Sequence, residues 1–297
     1  MRLVGLRRPE GGTGVVVDGW VHDLGVHSQL ADLAGWPWSQ GPQSIIEHDQ
    51  LDALTARWKP EWTTEHTALG RLEDIALNAP VNNPGQMLFV GMNYRDHALE
   101  LGVALPERPH VFVKLLNALT GPYDDVTIPP TVEHLDHEVE LAVVIGKNLR
   151  RAGRKEAADA IAGYTVVNDF SARDWQFATD SQLTLAKGFE SFCPMGPCLV
   201  TPDELPHPES ASIGCTVNGQ IMQESSISEL VFGVSECISF LSQIVRLQPG
   251  DVISTGTPAG VQKGRSSPRW LEPGDIVESW VEGVGRIRNR VTLEPTS

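Results

Sequence analysis

One segment, HLDHEVELAVVIGKNL at residues 134–149, restricts the possible folds more than any other part of the chain. Its centre, residues 141–145, is apolar at every position, and a strand of that kind is usually covered on both faces. Glu138 and Glu140 stand at its start, and residues two apart on a strand point to the same face. An isolated pair at this spacing commonly marks the solvent face of a half-buried strand. The apolar continuation predicts instead that both carboxylates face an internal cavity or seam.

Two buried carboxylates need a positive partner, because burial without one is costly or forces protonation. A divalent cation meets this need. His137 has the opposite parity to the glutamates and His134 lies farther back, so imidazole ligands are disfavoured. Asp169 ends the β-type run at residues 164–169 and is placed to be a third carboxylate, although Asn-Asp is also an ordinary turn pair. Oxygen ligands alone favour Mg²⁺, Mn²⁺ or Ca²⁺.

A second polar pair lies in LFVGMNYRDHALEL, residues 88–101. A strand runs into Gly91, and we expect Asn93 to cap a following helix. His97 and Glu100 are three apart, so they share one helical face. A carboxylate beside an imidazole fixes its tautomer and raises its basicity, which suits a general base. The same spacing also occurs between plain surface neighbours, and the pattern leaves both interpretations open.

The remaining patterns divide the chain into two parts. Residues 1–75 contain short β-type runs separated by Gly and Asp, which predicts an antiparallel unit with hairpin turns. We also expect a helix over residues 45–58. A turn at residues 82–85 then precedes a strand-rich region. The sequence therefore predicts a small N-terminal domain over residues 1–75 and a larger domain over residues 76–297.

Two local patterns in the second part predict further structure. Ser226 and Glu229 fit a capping box, and the apolar spacing after them predicts a helix that begins at Ser226. The heptapeptides LQPGDVI (residues 247–253) and LEPGDIV (residues 271–277) are near copies. Pro followed by Gly suits the centre of a type II turn, so each copy is predicted to lead into a strand.

Composition argues against several classes of function. Lys and Arg total 23 and Asp and Glu total 38, so the formal net charge is −15, which argues against nucleic-acid binding. The chain has no apolar stretch near the roughly 20 residues that span a bilayer, and its N-terminus lacks an apolar signal core. Its 4 cysteines form no CxxC pair. We therefore expect a soluble, cytoplasmic protein with free thiols and no membrane or nucleic-acid partner.

Several segments together resemble the fumarylacetoacetate hydrolase family. They are VGMNYRDHALE, HLDHEVELAVVIGK, GYTVVNDFSARDWQ, AKGFESFCPMGP and LQPGDVISTGTPAGV, which follow the family's order and spacing from about residue 86 to residue 293. The resemblance implies an α+β, strand-rich fold: a mixed β-sandwich roll with flanking helices. The N-terminal residues resemble the small α/β domain of longer bacterial members. It also implies a homo-oligomer, and we expect a homodimer.

The resemblance implies roles for individual residues. Those that match the family's metal ligands are Glu138, Glu140 and Asp169. The usual cation is Mg²⁺ or Mn²⁺, and sometimes Ca²⁺. His97 and Glu100 match a catalytic dyad of acylpyruvase-type members, and Lys187 matches a lysine near the developing oxyanion. Those that match the substrate cleft are Lys114, Arg173, Gln176, Gly256 and Thr257. Lys114 precedes Leu-Leu-Asn, where many members have a Pro and a Ser, so substrate preference stays open.

These assignments predict a metal-dependent hydrolase that cleaves a C–C bond in a small β-diketo acid, such as an acylpyruvate or fumarylpyruvate. In this hypothesis His97, oriented by Glu100, deprotonates the attacking water, Lys187 stabilises the oxyanion, and a 2-oxo acid and a carboxylic acid are released. Oxaloacetate-type decarboxylation and isomerisation or hydration of a 2-oxo acid are alternatives that use the same metal and enolate chemistry. A further alternative is a non-catalytic protein that binds metal and small acids. The fold does not choose among them.

Overall fold

The computed structural model describes residues 1–9, 11–26, 41–65, 68–178 and 182–295. The strands within these residues are β1 (Arg2–Leu6), β2 (Thr13–Val17), β3 (Trp20–Asp23), β4 (Gly70–Arg71), β5 (Leu77–Asn78), β6 (Met87–Gly91), β7 (His110–Val113), β8 (Leu119–Thr120), β9 (Val126–Ile128), β10 (Leu135–Asp136), β11 (Val139–Ile145), β12 (Ile161–Asn168), β13 (Ser171–Ala172), β14 (Cys193–Val200), β15 (Ser212–Val217), β16 (Gln220–Ser226), β17 (Val252–Ser254), β18 (Ile276–Val281) and β19 (Gly285–Leu293). The helices are α1 (Pro42–Glu47), α2 (Leu51–Arg57), α3 (Arg95–Glu100), α4 (Arg154–Ala158), α5 (Arg173–Ala178), α6 (Leu183–Ala186) and α7 (Val234–Ile244).

Most strands belong to one large mixed sheet. Its order is β4-β3-β2-β1-β14-β12-β11-β17-β6-β7, with β5 beside β1 and β8 beside β14. A five-stranded sheet, β16-β15-β18-β19-β9, packs against β11, β12 and β14 of the large sheet. Antiparallel pairs dominate, and the pairs β6–β17, β8–β14 and β9–β19 are parallel. The strand-rich mixed fold predicted from the sequence is confirmed.

The strand that carries the two glutamates lies inside the large sheet. β11 pairs with β12 on one side and with β17 on the other, and all 7 of its residues are buried. Its antiparallel register places Val139 opposite Asn168. The start of β11 therefore lies beside the end of β12, and polar side chains from two separate stretches of sequence meet there.

The N-terminal strands continue the same sheet. β1, β2 and β3 form successive antiparallel pairs, as the Gly- and Asp-punctuated runs predicted. β1 also pairs with β14, with Arg2 opposite Val200 and Leu3 opposite Leu199. The predicted domain over residues 1–75 therefore shares a sheet with the rest of the chain, and its boundary stays a prediction.

The helix predicted to begin at Ser226 begins instead at Val234. Ser226 ends β16, and its Oγ accepts a hydrogen bond from Ser228 N (3.2 Å) in a 3-10 turn. The Asn93 side chain then fixes the following loop, because its amide bonds to both the N–H and the C=O of Phe232. These tertiary contacts override the local capping pattern.

Two further local predictions have different outcomes. The helix predicted over residues 45–58 is divided into α1 and α2, and between them Asp49 has a φ of 57°, which is not helical. The two Pro-Gly turns are confirmed, since Gly250 and Gly274 have φ values of 87° and 98° and each turn leads into a strand. Among the described residues, no helix combines the length and apolar character needed to cross a bilayer. The homodimer and the cytoplasmic location stay predictions.

Candidate active site

Three carboxylates meet where the start of β11 lies beside the end of β12. Glu138 immediately precedes β11, Glu140 lies within it, and Asp169 immediately follows β12. One oxygen from each lies within 4.8 Å of the others, and all three side chains are buried. Asp169 N donates a hydrogen bond to Glu138 O (2.8 Å), which joins the two strand ends. The structure thus brings together the three carboxylates that the sequence singled out.

Buried cations bond to two of these carboxylates. Lys187 Nζ lies 2.6 Å from Glu138 Oε2 and also bonds to Asp169 Oδ2. Arg173 bonds to Glu138 Oε1 through Nη2, and its Nε donates to Asp136 Oδ2 (2.9 Å). Burial alone would raise the pKa of Glu138, but the neighbouring Lys187 and Arg173 cations outweigh it and hold that pKa well below its usual range. Glu138 is therefore an ionised member of a buried network.

Glu140 differs, because it forms no salt bridge within the described part of the chain. Its Oε2 accepts hydrogen bonds from Ser254 Oγ and from Gly256 N, the latter at 3.0 Å. Burial and the negative charge of Asp169 raise the pKa of Glu140 to about 8. A cluster of oxygen donors that contains one carboxylate without a cationic partner fits a hard divalent cation. Glu138, Glu140 and Asp169 would hold it.

The raised pKa of Glu140 predicts how the metal-free protein responds to pH. The pKa is about 8 in the folded protein against an ordinary 4.5, so between these values the folded state binds more protons than the unfolded state. Stability should therefore fall, by on the order of a few kcal/mol, as the pH rises from about 5 to about 8. Urea unfolding in the presence of a chelator measures this slope. Glu140→Gln should flatten it, and an identical slope in both proteins would contradict the assignment.

His97 and Glu100 form a hydrogen-bonded pair on α3. His97 is buried, and its Nδ1 lies 3.0 Å from Glu100 Oε2. Glu100 Oε1 accepts a hydrogen bond from Gly260 N (2.9 Å), so both carboxylate oxygens are engaged. Gly264 permits this close packing, since a Cβ there would lie 2.4 Å from the Glu100 side chain. With Nδ1 donating to Glu100, Nε2 of His97 remains free to accept a proton.

The predicted cap of α3 is not observed. Tyr94, not Asn93, occupies the N-cap position, and it makes no side-chain capping bond. Asn93 Nδ2 instead donates to Thr255 O (2.8 Å) and to Phe232 O (3.0 Å). Asn93 therefore ties the start of α3 to the loop that follows β17 and to the loop that precedes α7.

A cavity of about 230 Å³ joins these groups. The predicted site residues that line it are His97, Glu138, Glu140, Arg173, Gln176, Lys187 and Thr257. A larger cavity of about 620 Å³ lies beside the N-terminal strands. Its lining includes Arg2 and Glu204, which pair with each other at 3.6 Å, and none of the three clustered carboxylates. The smaller cavity is therefore the candidate active site.

Two predicted substrate contacts lie elsewhere. Lys114 is buried outside the cavity lining, with Nζ 2.6 Å from Asp169 Oδ1 and 3.2 Å from Phe170 O. In this geometry Lys114 orients a carboxylate of the metal cluster, and its predicted contact with substrate stays a prediction. Gly256 has a φ of 99° and donates its N–H to Glu140, so it too supports the cluster.

Sequence reasoning missed Asp136. This buried residue accepts hydrogen bonds from Arg173 Nε (2.9 Å), Gln262 N (2.8 Å) and Lys263 N (3.1 Å). It therefore fixes both the guanidinium beside Glu138 and the backbone at the cavity edge. A signal was present in the sequence, because Asp136 and Glu138 are two residues apart in one continuous segment and so have the same parity.

Comparisons with known proteins agree with this architecture. A family model described as fumarylacetoacetate (FAA) hydrolase C-terminal matches residues 86–292. The chain is 42% identical over 252 residues to the oxaloacetate tautomerase FAHD2A, mitochondrial, of Bos taurus, covering 84% of this chain and 80% of that protein.

Solved structures extend the match to 99% of the chain. A fumarylacetoacetate hydrolase from Exiguobacterium antarcticum has a TM-score of 0.82 and 28% identity, covering 99% of this chain and 100% of that one. Maleylpyruvate hydrolase from Sphingobium sp. SYK-6, in complex with manganese(II) and pyruvate, has a TM-score of 0.78 and 27% identity with the same coverage.

These relatives are enzymes, and so is this chain. The buried carboxylate cluster and the manganese complex of the maleylpyruvate hydrolase together support a divalent-metal site. The family model covers most of the chain, and the relatives match it both in sequence and in fold. The chain therefore belongs to the fumarylacetoacetate hydrolase family.

Proposed function

We propose that this enzyme interconverts the keto and enol forms of a small 2-oxo acid, with oxaloacetate as the first substrate to test. The proposal depends on one observation: His97, held by Glu100, lines the same cavity as Glu138 and Glu140 of the carboxylate cluster. The cavity of about 230 Å³ lies below the roughly 300–1,000 Å³ of common ligand pockets, which suits a substrate of few carbon atoms. The 42% identity with a protein named oxaloacetate tautomerase supports this substrate.

The proposed reaction moves a proton from C3 of the substrate to its C2 oxygen and needs no co-reactant. A divalent cation held by Glu138, Glu140 and Asp169 would act as a Lewis acid and stabilise negative charge on the substrate oxygens. Nε2 of His97 takes the C3 proton, and the C–H electron pair becomes the C2–C3 double bond. Glu100 keeps the imidazole oriented and stabilises the imidazolium, which then gives the proton to the oxygen.

The cations of the cavity wall bind the acid group in this proposal. Arg173 and Lys187 are buried and line the cavity, so water screens their positive charges only weakly there. Gln176 Oε1 accepts a hydrogen bond from Arg173 Nη1 (3.0 Å) and fixes the guanidinium. Thr257 also lines the cavity, and its Oγ1 donates to Val139 O (2.8 Å). These contacts preorganise the groups that meet the substrate.

The direct test follows the ultraviolet absorbance of enol-oxaloacetate as it converts to the keto form. With Mg²⁺ or Mn²⁺ present, the enzyme should accelerate this conversion, and a chelator should remove the acceleration. Free metal ions promote enolisation themselves, so the reference is the same buffer and metal without protein. A rate equal to that reference would defeat the proposal.

Hydrolysis of a C–C bond in a β-diketo acid is the second candidate. The same His97–Glu100 pair is able to deprotonate water, and the fold matches a maleylpyruvate hydrolase. One water would be consumed, the C–C bond would break, and acetylpyruvate would yield pyruvate and acetate. Pyruvate release from acetylpyruvate, faster than enol conversion of oxaloacetate, would favour hydrolysis. Pyruvate release from oxaloacetate would indicate decarboxylation.

A further inference from the structure

One cation of the cavity wall takes no part in the chemistry above. Lys263 lies in a 3-10 turn at Gln262–Gly264, and its half-buried side chain lines the same cavity as His97. Arg173 and Lys187, which also line it, are both bonded to carboxylates. The Lys263 ammonium, in contrast, forms neither a hydrogen bond nor a salt bridge with any described residue.

The backbone of Lys263 is fixed although its ammonium is free of ion pairs among the described residues. Lys263 N donates to Asp136 Oδ2 (3.1 Å), the same oxygen that accepts from Arg173 Nε (2.9 Å). One buried carboxylate therefore holds both residues at the cavity. Lys263 Nζ lies 5.1 Å from the ring centroid of Phe177, a contact that is weaker than an ion pair in a partly buried site. Burial and the charge of Arg173 lower the pKa of Lys263, so a nearby anion is electrostatically favoured.

We infer that Lys263 binds a second carboxylate of the substrate, so that the enzyme prefers 2-oxo dicarboxylic acids to 2-oxo monocarboxylic acids. This inference rests on the proposed function, because it names the substrate class of that same site. Arg173, Lys187 and the carboxylate cluster are occupied with the 2-oxo acid end of the molecule. Lys263 is then the cation of the lining, within the described residues, that remains for an anion at the other end.

A matched pair of unreactive ligands isolates this contact. L-malate and L-lactate share the 2-hydroxy acid group, and only L-malate has a distal carboxylate. Calorimetry with Mg²⁺ present should show that the wild-type enzyme binds L-malate about tenfold or more tightly than L-lactate. Lys263→Met should weaken L-malate binding by about 10–100-fold and L-lactate binding by less than about threefold.

Two further variants separate charge from packing. Lys263→Arg keeps the positive charge and should restore most of the L-malate affinity. Lys147→Met removes an exposed lysine outside this cavity, and both affinities should match the wild-type values. Equal losses for both ligands in Lys263→Met, no loss for L-malate, or a wild-type enzyme that does not prefer L-malate would each overturn the inference.

The binding measurement is independent of turnover, so the two proposals fail separately. A clear L-malate preference that depends on Lys263, without acceleration of oxaloacetate tautomerisation, would defeat the proposed function alone. Rapid tautomerisation with unchanged L-malate binding in Lys263→Met would defeat the inference alone.

Discussion

His97→Gln is expected to lower kcat for oxaloacetate tautomerisation by about 10²–10⁴-fold, the range that a positioned general base contributes. The imidazole is buried at the cavity and its Nδ1 bonds to Glu100, so Nε2 is the nitrogen that the proposed mechanism uses as the proton acceptor. Glutamine approximates the size of the ring but cannot take a proton. Mg²⁺ affinity should stay within about threefold, because His97 is outside the carboxylate cluster.

Two companion variants show whether this loss is chemical. Glu100→Gln removes the negative charge behind the imidazole but keeps a hydrogen-bond acceptor, so kcat should fall less, by about tenfold. His207→Gln changes an exposed histidine whose side chain pairs with Glu209, and it should leave kcat within about twofold. A His97→Gln enzyme with nearly full kcat would mean that the metal, Arg173 and Lys187 suffice for catalysis and that His97 is not the base.

The carboxylate cluster was accessible to sequence reasoning because it depends mainly on local properties. Strand parity places Glu138 and Glu140 on one face, and the apolar residues after them require that this face be internal. The position of Asp169 was harder to predict from local sequence, because it depends on the antiparallel pairing of β11 with β12. Parity and helical spacing therefore supply candidates, and the antiparallel register determines which candidates meet.

Local sequence is insufficient where long-range contacts decide the outcome. Lys114 reaches Asp169, 55 residues away, and nothing in the sequence around Lys114 predicts that contact. The pairing of Leu3 with Leu199 likewise has no local signature. The apolar residues after Ser226 do have helical spacing. The Asn93 contacts to Phe232 fix the loop between them, however, and the helix begins at Val234. Tertiary contacts override local propensity in each case.

The reaction itself is not determined by the carboxylate cluster. Tautomerisation, hydrolysis and decarboxylation all use a cation that stabilises negative charge on a 2-oxo acid, so the same cluster serves each of them. What separates them is the group that moves the proton and the group that meets the far end of the substrate. We propose that these groups are His97 and Lys263, which line one cavity.

Glu138→Gln and Glu140→Gln are each expected to abolish Mg²⁺ binding and to lower kcat by about 10³-fold or more, because metal-ion catalysis contributes several kcal/mol. The two substitutions are chemically identical and lie two residues apart on one face, yet they should affect the metal-free protein differently. Glu138 accepts bonds from both Arg173 and Lys187, whereas Glu140 accepts bonds only from neutral groups within the described residues.

Urea unfolding in chelator near pH 8 should expose this difference. Glu138→Gln removes an anion from two buried cations and should destabilise the protein by about 3 kcal/mol, the lower end for a broken buried ion pair, since each cation keeps a second carboxylate. Glu140→Gln removes a carboxylate without a cationic partner and should be neutral or stabilising. Equal destabilisation by both substitutions would mean that another group already balances the negative charge of Glu140 in the metal-free protein. The cluster would then not be organised around a divalent cation.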